Sequence, residues 1–214
     1  MMIPKLHYIT QGDSIKEQLE NIQKACSSGA ELVQLRFRNV ADKKLLKLAS
    51  EAREITAHFQ TRLLINDHYK IAKEVKADGV HLEKTDVCPT IARKYTYTWQ
   101  MIGGTANTLQ DCETLLQKEV DYIGLGPFRF TATKDNLPTI LGLKGYTAIL
   151  DELQTETPII GVGGITTTDV SAILATGISG IAVSGEITRN FNTIKTFHQL
   201  LKASSTEEQR YTFK

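Results

Sequence analysis

Two aspartates follow directly on short apolar runs. Asp67 closes Leu63-Leu64-Ile65-Asn66-Asp67, and Asp86 lies just beyond Gly79-Val80-His81-Leu82. If these runs are neighbouring strands, their two carboxylates converge at one end, and hard oxygen ligands of that kind suit Mg²⁺ better than Zn²⁺. Further along, Gly163-Gly164 and Ser184-Gly185 end two more apolar runs. Glycine-bearing ends of this type expose backbone N–H groups that hold phosphate. A metal corner facing a phosphate corner implies an enzyme that acts on phosphorylated substrates.

Other polar residues extend the pattern, and each has a plainer reading. Arg36 and Arg38 alternate with Phe37, so on a strand both face one side and would bind a diphosphate; the plainer reading is an ion pair inside the protein. Asp67 and Asp86 could each cap a following helix, although Asn66 beside the first favours the metal. Gly163-Gly164 could merely turn the chain. His81, inside an apolar run, reads as a hydrogen-bonded core residue, and the five histidines show no zinc-site spacing.

The elements that must position these groups alternate regularly. Strand-like runs occur at 6–10, 32–37, 62–67, 79–83, 101–105, 122–126, 159–163 and 180–184, separated by helical segments such as 14–27, 43–59, 109–118 and 167–175. Thr108 and Thr166 or Thr167 read as N-caps, Gly29 and Gly177 as helix stops. The strands are almost continuously apolar, as when both faces are covered. Eight strand–helix repeats in a chain of 214 residues predict one α/β domain, a (β/α)8 TIM barrel over 1–202, followed by a polar tail at 203–214. An open doubly wound sheet is the rival, but Thr10-Gln11-Gly12-Asp13 is no dinucleotide loop. In a barrel the site lies where strands end. There the sequence places Gln34, Arg36 and Arg38, then Asn66 and Asp67, Asp86, Thr105, Thr131 to Lys134, Gly164 and Ser184. The long irregular stretch 127–141, carrying Thr131, Thr133 and Lys134, reads as a functional loop.

Composition removes several classes. With 25 basic and 24 acidic residues, no surplus charge attracts nucleic acid or an anionic membrane. Three cysteines, Cys26, Cys88 and Cys112, lack ligand spacing and read as reduced thiols. No signal-like head precedes the first strand and no apolar run spans a bilayer, so the expectation is a cytoplasmic protein with small-molecule partners. The sequence leaves room for a homo-oligomer.

The chain resembles the thiamine phosphate synthase family along nearly its whole length. The resemblance rests on Val33-Gln34-Leu35-Arg36, Ile65-Asn66-Asp67, Ala77-Asp78-Gly79-Val80-His81-Leu82 with Asp86, Asp121-Tyr122-Ile123-Gly124-Leu125-Gly126-Pro127, Thr131-Ala132-Thr133-Lys134, Leu141-Gly142-Leu143 with Gly145, and Gly163-Gly164-Ile165. It implies a Mg²⁺-dependent transferase that joins hydroxymethylpyrimidine diphosphate to a thiazole phosphate, releasing pyrophosphate and forming thiamine phosphate.

Carried over by position, Asp67 and Asp86 would hold Mg²⁺. Gln34, Arg36, Arg38, Asn66, Thr105 and Lys134 would hold the pyrimidine diphosphate, with Arg36, Arg38, Thr105 and Lys134 nearest the chemistry. Thr131, Thr133, Gly164, Ser184 and Gly185 would hold the thiazole phosphate. The chain departs from the family's usual residues at Phe37 and Arg38 (Glu-Lys), Glu83-Lys84 (Gly-Gln), Thr105 (Ser), Asn107 (His) and Phe130 (Pro), and several of these crowd the diphosphate side. A thiazole tautomerase relative and a non-catalytic sensor of thiamine precursors remain as alternatives. Asn107, where the tautomerase relies on histidine, and the retained aspartates with Lys134 speak against them.

Overall fold

A computed structural model describes residues 3–130 and 139–211, the stretch 203–211 as backbone only. Eight parallel strands close into a barrel in sequential order: β1 (Leu6–Ile9), β2 (Leu32–Leu35), β3 (Arg62–Asn66), β4 (Gly79–Leu82), β5 (Met101–Ala106), β6 (Tyr122–Leu125), β7 (Ile159–Val162) and β8 (Gly180–Val183). Around them run α1 (Ile15–Ser27), α2 (Asp42–His58), α3 (Tyr69–Glu74), α4 (Pro89–Tyr95), α5 (Leu109–Gln117), α6 (Gly142–Glu152), α7 (Val170–Leu174), α8 (Gly185–Arg189) and α9 (Thr193–Tyr211). The expected (β/α)8 barrel is therefore the fold. The backbone of α9 continues helically through 203–211.

Local signals in the sequence act where expected. The Thr108 hydroxyl accepts from Asp111 N at 3.1 Å while the Asp111 carboxylate accepts from Thr108 N, a reciprocal pair that starts α5. Thr166 and Asp169 form the same box ahead of α7. Gly29 and Gly177 sit at φ +95° and +94°, the left-handed geometry that ends a helix.

Packing separates into two layers. Apolar residues between strands and helices, among them Leu35, Ile65, Val80, Ile123 and Val183, form the main core. A second cluster of Leu32, Leu64, Met101, Tyr122, Ile160 and Ala182 fills the bore. Room for the Tyr122 ring comes from Gly103, where an added Cβ would lie 2.1 Å from Tyr122 Cζ. Two residues on from bore positions Leu32 and Leu64, on the same strand faces, come Gln34 and Asn66. The bore thus turns from apolar to polar toward the strand ends, where the site lies. Among the described residues no helix is long and apolar enough to cross a membrane.

Candidate active site

Asn66 ends β3 and pairs in register with His81 of β4, which brings the loops bearing Asp67 and Asp86 side by side. Asp67 adopts φ +67°, with its N–H donated to His81 O at 2.8 Å. Gln34 Nε2 donates to Asn66 Oδ1 at 2.6 Å, and Asn66 Nδ2 in turn donates to Asp67 Oδ1. This chain of amides aims the carboxylate. Asp86 closes a tight turn, its Oδ2 accepting from Glu83 N at 2.6 Å and its N–H donating to Glu83 O at 3.1 Å.

Neither aspartate caps a helix. His68 and Cys88 occupy the N-cap positions of α3 and α4 without side-chain cap bonds. Instead the two carboxylates face each other: burial, then contact with Asp86, pushes the Asp67 carboxyl up to about 7. Two carboxylates held this close repel until a proton or a cation lies between them. Among the described residues no group of three or more His, Cys, Asp or Glu side chains forms a metal cage. Two carboxylates alone fit Mg²⁺, which keeps most of its shell for water and phosphate oxygens.

Because β2 ends at Leu35, Arg36 and Arg38 lie on the following loop, so the strand alternation expected for them does not apply. They converge through a shared partner. Glu83 Oε1 sits 2.5 Å from Arg38 Nη2 and 3.5 Å from Arg36 Nε. With Asn66, Asp67 and Asp86 these three line a cavity of about 420 Å³.

On the opposite side of the mouth a second cavity of about 410 Å³ is lined by Gly163, Gly164, Ser184 and Gly185, with Gln11 and Arg189. Gly163 and Gly164 take φ +105° and +67°. A Cβ on Gly164 would approach Phe130 O to 3.0 Å, so glycine here both turns the chain and lets the preceding loop come close. The Ser184 hydroxyl is spent on Ile9 O at 2.7 Å, which leaves the backbone of 184–185 as the more available donor. Between the two cavities a small space of about 40 Å³ is bordered by Gln34, Asn66, His81 and Thr105, and Arg36 borders all three.

A profile of the thiamine monophosphate synthase family matches residues 6–187. The chain belongs to that family. It is 43% identical over 192 residues to a thiamine-phosphate synthase of Flavobacterium johnsoniae, covering 88% of this chain and 91% of the relative. A thiamine-phosphate synthase of Flavobacterium psychrophilum is 41% identical over 204 residues, covering 94% and 99%. Among solved structures, a thiamine phosphate pyrophosphorylase from Pyrococcus furiosus superposes with a TM-score of 0.79 at 23% identity, covering 93% of this chain and 96% of that one. At that identity the superposition speaks for the barrel alone.

Within this family member the structure brings together Gln34, Arg36, Arg38, Asn66, Asp67, Asp86 and Thr105 on one side and Gly164, Ser184 and Gly185 on the other. Thr131, Thr133 and Lys134 lie outside the described residues. His81 is the hydrogen-bonded core residue expected, with Nδ1 2.8 Å from the Tyr122 hydroxyl and Nε2 2.9 Å from Thr105 Oγ1. It thereby fixes the Thr105 hydroxyl.

Sequence reasoning missed Arg129. Its guanidinium grips Asp169 at 2.8 and 3.0 Å and Gly164 O at 3.1 Å. That tie fastens the segment after β6 to the Gly163-Gly164 corner, and an arginine two residues past Gly-Pro carries no local signal of it. Gln11 and Arg189 also border the second cavity and were equally silent in the sequence. Asp78 and Asp121, part of the resemblance, serve the other end of the barrel: they accept from Leu63 N at 2.8 Å and Ile102 N at 2.7 Å, bracing the strand starts.

Proposed function

We propose that this protein is a thiamine phosphate synthase, joining a hydroxymethylpyrimidine diphosphate to a thiazole phosphate across the mouth of the barrel. The observation that carries the reading is the groove itself. A paired-carboxylate corner and a glycine corner face one another, and Arg36 borders both cavities. That arrangement suits two phosphorylated substrates bound across the mouth.

In this reading the diphosphate lies against Arg36, Arg38 and Lys134 beside Asp67 and Asp86. Asp67 and Asp86 would hold Mg²⁺, which would supply positive charge to the leaving group. The bond between the pyrimidine methylene carbon and the diphosphate oxygen breaks, and its electron pair leaves with pyrophosphate. The electron-rich aminopyrimidine stabilises the cation that remains. The thiazole nitrogen then donates its lone pair to that carbon, forming the new C–N bond without a protein nucleophile. The chain's task is to hold the departing charge with its cations and to keep nitrogen and carbon in reach.

In the same reading Gln34 and Asn66 orient the pyrimidine, and Thr105, held by His81, meets its polar edge. Thr131, Thr133, Gly164 and the Ser184-Gly185 backbone take the thiazole phosphate. Residues 127–141, of which 131–138 lie outside the described residues, are assigned to excluding water that would trap the cation. Asn107 spends its side-chain amide on Gly126 O at 2.6 Å and offers no proton-transfer group, which disfavours a tautomerase. The three cysteines are free thiols and fit a reducing cytoplasmic setting.

The test is pyrophosphate release by purified protein with Mg²⁺ and both precursors, with thiamine phosphate followed in parallel. Product that needs both substrates and Mg²⁺, and is lost in Asp67→Ala, supports the reading. Binding of the thiazole phosphate without turnover would move the protein to the sensor class.

A further inference from the structure

Glu83 has no part in the proposed reaction, yet it lines the cavity proposed for the diphosphate. Its carboxylate spans two loops, reaching Arg38 Nη2 at 2.5 Å and Arg36 Nε at 3.5 Å with the same oxygen. It thus engages both guanidinium groups to which the proposed function assigns the diphosphate.

The backbone on either side of this contact is fixed. Glu83 N and O are both bonded to Asp86, and the neighbouring Lys84 is drawn away to Asp111 Oδ2 at 2.8 Å. On the facing loop, Arg36 N donates to Thr10 Oγ1 at 3.0 Å. Of the three side chains, Arg38 retains 43% of its exposure while Arg36 and Glu83 retain 16% and 19%, so Arg38 is the partner with room to turn between carboxylate and ligand. Glu83 also satisfies the pair incompletely. Arg36 Nη2 is buried and finds no acceptor among the described residues. A buried guanidinium donor without an acceptor is costly, and a diphosphate with several oxygens can engage both forks where one carboxylate oxygen cannot.

We propose that Glu83 is a resident anion of the diphosphate site: it holds Arg36 and Arg38 in the free enzyme, yields them to the incoming diphosphate, and takes them back as pyrophosphate departs. This rests on the diphosphate binding at this corner. The exchange keeps the two cations paired when substrate is absent, and it favours a ligand with enough oxygens to outcompete a carboxylate over monophosphate. It also lowers the affinity for the product, so turnover is not limited by a tightly held pyrophosphate.

The test uses the isosteric E83Q variant and titration calorimetry with inorganic pyrophosphate and Mg²⁺, beside steady-state kinetics with both precursors. The expected result is pyrophosphate bound on the order of five- to tenfold more tightly, as when a charged competitor is removed. Product inhibition should strengthen by a similar factor, and the KM for the pyrimidine diphosphate should fall together with kcat. A field effect of the lost charge would persist without Arg38, whereas displacement from Arg38 would not. The gain from E83Q should therefore shrink severalfold in an R38A background.

Unchanged or weaker pyrophosphate binding in a folded E83Q protein would overturn the proposal and make Glu83 a brace. An equal gain in the R38A background would overturn it too. Pyrophosphate binding that follows the expected pattern without any turnover would instead count against the synthase reading and leave the exchange standing.

Discussion

The facing carboxylates make a prediction about stability that is independent of turnover. Burial and Asp86 raise Asp67 from 3.8 to about 7, so between those pH values the folded metal-free protein holds a proton there that the unfolded chain releases. The sign follows from linkage: the stability this proton confers is fully present below about pH 4, falls as pH rises from there, and is gone once pH passes about 7. Asn at position 67 keeps the shape of the protonated acid and cannot ionise. Replacement should therefore change nothing near pH 4 and stabilise the metal-free protein at pH 8.

A rise of that size corresponds to a ceiling of about 4 kcal/mol. The site opens to solvent, which screens much of it, leaving about 1–2 kcal/mol. For a chain of this length that is a Tm increase of roughly 2–8 °C. The assay is thermal unfolding of Asp67→Asn and the native protein in chelator at pH 4.5, 6 and 8, repeated at pH 8 with Mg²⁺. Added Mg²⁺ should raise the Tm of the native protein, as a ligand specific to the folded state does, and leave the variant unmoved. A variant less stable at pH 8, or a difference that does not vary with pH, would refute the reasoning about the pair.

Gly163→Ala forces a Cβ to within 2.8 Å of Pro127 Cβ at φ +105°, and should cost roughly 2–3 kcal/mol in denaturant unfolding while raising the KM for thiazole phosphate. Arg129→Ala removes the grip on Asp169 and Gly164 O; calorimetry should show weakened thiazole phosphate binding with a stability loss of only about 1 kcal/mol. His81→Phe strips partners from the Tyr122 and Thr105 hydroxyls and should lower stability by roughly 2–3 kcal/mol. If Thr105 meets the pyrimidine, kcat/KM for the diphosphate substrate should fall in the same variant.

The sequence by itself determined the barrel. Eight apolar runs bounded by Thr108- and Thr166-type caps and by Gly29 and Gly177 specify strand and helix locally, and parallel strands buried on both faces can close in few other ways. It also marked which ends of the strands would be polar, because Gln34, Asn66, Asp67 and Thr105 together interrupt the apolar runs at the same end. What it could not determine was how those groups pair across loops. That Asp67 leans on Asp86 rather than capping α3, that Glu83 draws in Arg36 and Arg38, and that Arg129 crosses to Asp169 depend on distances between residues 19 to 47 positions apart. Local propensity contains no information at that range. Only the barrel's strand pairing, which fixes the register of β2 against β3, β3 against β4 and β6 against β7, brings those side chains within bonding distance and decides which charges meet.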